Sequence, residues 1–151
     1  LRLLRSATDE ELGRIDRLTY EVDVPAGRML TSEGERPRGF FLIVSGRAIV
    51  TVAGLVRDIL DSGTFFGETA LLDGAAEPAT VTALTPMQLR VATGQEFAQL
   101  RVIPPVAYAM LKMLAAQQRA TYNGRASRLT AQPAEISDLL AAPAFRHPSE
   151  T

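Results

Sequence analysis

The sequence predicts a mainly β fold with flanking helices: a jelly-roll barrel preceded by an N-terminal helix and followed by a C-terminal helical segment. Three observations carry this reading. Runs of β-branched and aromatic residues recur roughly every 8–12 residues from Tyr20 to Ala92, with Gly, Pro or Asp turns between them. No helical pattern of about 10–15 residues separates these runs, which argues against a doubly wound α/β sheet. Helical periodicity stands before and after them.

The elements follow in order. Thr8-Asp9-Glu10-Glu11 has the form of a capping box, and Leu12, Ile15 and Leu18 recur at helical spacing, so residues 8–20 read as an amphipathic helix. Leu1 to Leu4 read as the tail of another helix. Strands are expected at Tyr20–Val24, Arg28–Thr31, Gly39–Ser45, Ala48–Val52 and Leu55–Leu60, with turns at Pro25-Ala26-Gly27, Glu33-Gly34-Glu35, Gly46, Gly54 and Asp61-Ser62-Gly63. Two more strands, Thr80–Leu84 and Met87–Ala92, are parted by Thr85-Pro86. A short helix is expected over Glu96–Leu100. Pro104-Pro105 then opens a helix over 105–121 with a wide apolar face, Val106, Met110 and Met113 on one stripe and Ala107, Leu111 and Leu114 on its neighbour. Tyr122-Asn123-Gly124 reads as its end. One more short helix is expected around Ala134 to Ala141, with the last ten residues loose.

Composition narrows the function classes. The 151 residues suffice for one domain with a core, and 46% hydrophobic with 22% charged residues is ordinary for a globular chain. No apolar run approaches the ~20 residues that span a bilayer. The absence of Cys agrees with a cytoplasmic location. A net charge of −1 argues against nucleic-acid binding by this chain alone. Residues 101–130 are the exception, carrying Arg101, Lys112, Arg119, Arg125 and Arg128 with no acid, as a solvated helix face does. The only His is His147, beside Pro148, so neither an imidazole–thiol nucleophile system nor a His-based metal site of the cupin kind is available to the core. No enzyme is expected.

One stretch stands apart from this scaffold. Phe65 to Val81 opens with two aromatics, Gly67 and an acid, continues through a short apolar turn and a loop of small residues, and ends on Thr80-Val81. Gly67 permits a close backbone approach, and the start of a short helix offers free N–H groups.

This stretch resembles the phosphate-binding cassette of the cyclic-nucleotide-binding domain family. That cassette reads Phe-Gly-Glu, any residue, Ala-Leu, a short variable loop, then Arg-x-Ala-Thr/Ser-Val. Phe66-Gly67-Glu68, Ala70-Leu71 and Ala79-Thr80-Val81 fall at matching spacing. Val24-Pro25-Ala26-Gly27, Glu33-Gly34-Glu35 and Phe41 through Gly46 extend the likeness over roughly residues 10–122. The resemblance implies a jelly-roll barrel of the cyclic-nucleotide-binding type over 8–122, with 123–151 as a short tail. It also implies a ligand pocket built from Phe66, Gly67, Glu68, Thr69, Ala70, Glu77, Pro78, Ala79 and Thr80, with cAMP or cGMP as the ligand class. The backbone around Gly67 and Ala70 would meet the ligand and Glu68 would accept from the ribose 2′-hydroxyl. Thr80 and the Ala79 amide would contact the cyclic phosphate or the base.

The cassette departs from the pattern at one position: Glu77 stands where the family has Arg, and Pro78 removes a backbone N–H beside it. The expectation is therefore a regulatory or interaction module with impaired cyclic-nucleotide binding. The alternative is a functional sensor with a substituted phosphate contact, Arg57 or Arg90 reaching in from a neighbouring strand. Glu77 itself is expected to face water, a neutral or cationic ligand being the other option. The tail after Tyr122 is too short and Pro-rich for a helix-turn-helix. Partners are expected to be a larger host protein or a second copy docked on the helix at 105–121.

Overall fold

A computed structural model describes residues 5–130, with side-chain surroundings through residue 123. The expected helices at residues 1–4 and 134–141, and the loose end, lie outside the described residues. The chain divides into two compact units, 1–109 and 110–151.

The first unit is built from two four-stranded antiparallel sheets. Helix α1 spans Asp9–Leu18. Strands β1 (Tyr20–Val24), β2 (Met29–Thr31), β3 (Phe40–Ser45), β4 (Ala48–Val52), β5 (Leu55–Leu60) and β6 (Phe65–Phe66) follow. Helix α2 (Glu68–Asp73), β7 (Thr80–Ala83), β8 (Met87–Ala92) and α3 (Gly94–Leu100) complete it, and α4 runs Pro104–Thr130. One sheet has the order β1-β8-β3-β6, the other β2-β7-β4-β5. This is the expected jelly-roll arrangement.

Alternation along the strands decides what fills the space between the sheets. Val24, Phe41, Ile43, Leu89 and Val91 come from the first sheet, and Leu30, Ala48, Val81 and Ala83 from the second, in one buried cluster. Strand β3 is buried on both faces, which explains its unbroken apolar run. Phe41 points inward and stacks on Phe66, with centroids 4.7 Å apart. Its neighbour Phe40 points the other way, onto Phe65 at 5.4 Å and onto Phe97 of α3 at 4.9 Å.

The helix ends follow local chemistry. Thr8 and Glu11 close the anticipated capping box, at 3.1 and 2.9 Å. Helix α3 starts two residues earlier than its apolar pattern suggests, because Thr93 and Glu96 form a second capping box. Helix α4 corrects the expected boundary: it does not end at Tyr122-Asn123-Gly124 but continues to Thr130. A Gly inside a helix costs only about 1 kcal/mol. Good helix formers on both sides, Arg119-Ala120 and Arg125-Ala126, offset that cost.

Candidate functional site

The Phe65–Val81 stretch folds as a strand end, a helical turn and a strand start, as its residues suggest. Phe66 anchors its beginning through Phe41. Gly67 then turns the chain with φ +90°, and a Cβ there would lie 2.4 Å from the Gly39 carbonyl oxygen. The space that Gly67 leaves open is thus filled by the backbone that leads into β3, so the fold itself requires glycine there. Gly74, also left-handed, ends α2 by donating its N–H to the Ala70 carbonyl.

The far half of the stretch is fastened to the Glu33-Gly34-Glu35 turn. The Glu77 N–H donates to the Glu35 carbonyl at 2.8 Å, and the Gly34 N–H donates to the Glu77 carbonyl at 2.9 Å. The Thr80 hydroxyl accepts from the Glu33 N–H at 3.0 Å, and Thr31 donates its hydroxyl to the Ala79 carbonyl at 3.1 Å. Sequence reasoning recognised this turn but not its task as the second wall of the cassette. The pairing of 34–35 with 77 is long-range, and no local pattern reveals it.

These ties bring Glu68 and Glu77 together. Both are buried, 6% and 5% exposed. Glu68 Oε1 accepts weakly from the Thr69 hydroxyl at 3.3 Å, whereas Glu68 Oε2 and Glu77 Oε1 have no hydrogen-bond partner. Burial pushes the Glu68 carboxyl above the ordinary carboxylate range, opposed by its own backbone N–H and by Thr69. Burial pushes Glu77 up as well, and the neighbouring Glu68 charge adds to it. The expectation that Glu77 faces water is corrected: the Glu35 and Gly34 backbone bonds hold its segment against the turn, and the side chain is covered. Of the other expected pocket residues, Phe66 and Ala70 are buried, Gly67, Ala79 and Thr80 are half-buried, and Thr69 and Pro78 are exposed.

Arg90 is committed elsewhere. Its guanidinium donates to the Thr19 hydroxyl at 2.8 Å and to the Asp16 and Thr19 carbonyls at 3.2 and 3.1 Å. It also pairs with Asp16 at 3.0 Å and Glu21 at 3.6 Å. It therefore closes the end of α1. Arg57 is exposed on β5.

The site is thus a Gly-Glu cassette between β6 and β7 of a helix-flanked jelly roll. The family model for the cyclic nucleotide-binding domain matches residues 21–102. The chain belongs to that family. It is 42% identical over 93 residues to a cAMP-dependent protein kinase regulatory subunit of Yarrowia lipolytica, covering 60% of this chain and 24% of that protein. The corresponding subunit of Eremothecium gossypii is 38% identical over 106 residues, covering 69% and 22%. The chain thus spans less than a quarter of the length of these relatives. The crystal structure of Thermus thermophilus catabolite activator protein superposes with a TM-score of 0.72 at 23% identity, over 86% of this chain and 63% of that one. A structure described as Sp-2Cl-cAMPS bound to PKAR CBD2 gives 0.69 at 20% identity, over 81% and 82%. These likenesses show the fold. No helix among the described residues is long and apolar enough to cross a membrane.

Proposed function

We propose that this chain is a non-catalytic regulatory module of a larger cytoplasmic protein, with a cassette that disfavours the phosphate of a cyclic nucleotide. The observation that carries this reading is the buried Glu77 carboxyl, one oxygen unpartnered, beside the buried Glu68. On the alignment by spacing, Glu77 takes the position of an Arg that holds phosphate. Losing such a charge-assisted bond costs about 1.5–3 kcal/mol. Like charges about 4 Å apart repel by up to about 4 kcal/mol at an effective dielectric near 20. Since each ~1.4 kcal/mol is tenfold in affinity, a strong site becomes a negligible one. Pro78 removes a further donor. Of the two cations that the sensor alternative could use, Arg90 is engaged with α1 and Arg57 is exposed on β5.

The residues proposed to face a ligand remain Phe66, Gly67, Glu68, Thr69, Ala70, Glu77, Pro78, Ala79 and Thr80. In this reading the module works through contacts. Helix α4 supports that, since Tyr108 and Leu111 are large, apolar and exposed on it, 65% and 66%. They offer a surface to the host protein or to a second copy. Calorimetric titration of wild type and Glu77→Arg with cAMP and cGMP tests the cassette. Silence from wild type and binding by the variant are expected. Binding by wild type that Glu77→Arg leaves unchanged overturns the reading.

A further inference from the structure

A second feature lies between the edge strands of the two sheets, away from the cassette. Strand β1 alternates, so Val22 and Val24 face inward with Tyr20 on the same side at the mouth, while Glu21 and Asp23 face outward. Strand β2 supplies Leu30 opposite them. The result is a cavity of about 210 Å³ walled by Val22, Val24, Leu30, Phe41, Leu89 and Val91. Its rim is different in kind, made by the exposed Tyr20, Met29, Arg28 and Arg38.

The charge at this rim is one-sided. Glu21 is turned to the other face, where it meets Arg90. Among the described residues Arg28 has no acid partner, and Arg38 meets only Glu35, at 3.7 Å with both side chains 59% exposed. An exposed pair of that kind is worth little and is readily exchanged. Apolar walls with two cationic donors at the mouth match a molecule with an apolar body and one anionic end. The volume is below the ~300–1,000 Å³ of drug-sized pockets, which limits that body to a short chain or a single ring.

We propose that the cavity between β1 and β2 is a binding site for a small amphipathic carboxylate, with its head at Arg28 and Arg38 and its tail among Val22, Leu30 and Leu89. The site does not depend on the cassette reading, since the two share no residue. It touches the cassette at both ends, however. Phe41 in its wall stacks on Phe66, and Thr31, next to Leu30, holds the Ala79 carbonyl. Occupancy is therefore placed to alter the cassette.

The test titrates the whole chain with octanoate, octanol and octylammonium, followed by backbone amide NMR shifts. Octanoate should give saturable shifts centred on Val22, Leu30 and Leu89, with smaller ones at Phe66 and Ala79. The Arg28→Ala, Arg38→Ala double variant should weaken it about tenfold or more. Both arginines are exposed, so the variant should melt at the wild-type temperature. No saturable shift with octanoate at millimolar concentration overturns the proposal. So does equal affinity for octanol or octylammonium, or undiminished octanoate affinity in the folded double variant.

Discussion

Arg90 and the Glu68–Glu77 pair are both charged groups drawn off the surface, and the fold treats them in opposite ways. Arg90, with 20% of its side chain exposed, spends its donors on two carbonyls, a hydroxyl and two carboxylates. The two glutamates are more deeply buried and leave two oxygens without a partner. The first arrangement is what a structural charge needs: Nε and Nη2 hydrogen-bonded and two carboxylates near, at the end of a helix whose terminal carbonyls favour a cation. The second is a standing cost, because an unpaired buried polar atom loses its hydration without return. Four surrounding hydrogen bonds hold that uncompensated cost in place, and in the reading proposed above it belongs to the cassette's task rather than to stability.

The largest effect expected is a change of sign in the cassette. Glu77→Arg puts a guanidinium beside Glu68, giving that carboxylate the kind of partner that Asp16 already has in Arg90. Affinity for cAMP should rise at least about a hundredfold by calorimetry, from the regained bond and the removed repulsion. Next comes the opposite experiment on the satisfied cluster. Arg90→Ala leaves the buried Thr19 hydroxyl and two carbonyls short of donors and leaves Asp16 and Glu21 without their cation. A loss of about 2–3 kcal/mol is expected in urea unfolding. A loss as small as that of an ordinary surface substitution would erase the distinction between the two clusters.

The sequence makes the scaffold legible and the two charge clusters only partly so. Strands β1, β4, β5 and β8 stand where period-two apolar patterns and Gly turns place them. The family membership follows from Phe66-Gly67-Glu68 and Ala79-Thr80-Val81, whose spacing is local. What lies beyond local pattern is pairing across the fold. That Arg90 answers α1, and that the Glu35 backbone grips Glu77, depends on contacts between distant segments. Helix α4 is the reverse case: Asn123-Gly124 is a sound stop signal by propensity, overridden by the helix formers around it.

Glu77→Gln should act on stability in the direction opposite to Arg90→Ala. The amide keeps the shape, removes the like charge and supplies donors for Glu68. A gain of about 1–2 kcal/mol is expected at pH 7. The pH profile carries the same information. Both carboxyls titrate above 4.5 in the folded chain, so the folded state holds protons that the unfolded state has released. Their contribution to stability is therefore greatest below about 4.5, the ordinary value, and falls as pH rises through the raised folded values. Unfolding free energies across this range should show that decline in wild type. The Glu68→Gln, Glu77→Gln double variant should lack it. An equal decline in both would mean that the pair is not its source.

The smallest effect expected separates charge from hydrogen bonding within the Arg90 cluster. Asp16 lies 3.0 Å from the guanidinium, the shorter of its two carboxylate contacts, yet its side chain is 73% exposed. Water screens that attraction, and ordering an exposed side chain offsets part of it. Asp16→Asn should therefore cost no more than about 0.5 kcal/mol, and less as salt is added. The Asp16 backbone carbonyl, which also receives Arg90, is untouched by the substitution. If unfolding in urea shows a loss near that of Arg90→Ala, Coulomb attraction holds the cluster, and burial is the wrong axis along which to separate it from the cassette. If the loss is small, Arg90 is held by Thr19 and the end of α1. The contrast with Glu68 and Glu77 then rests on matched against unmatched hydrogen bonds.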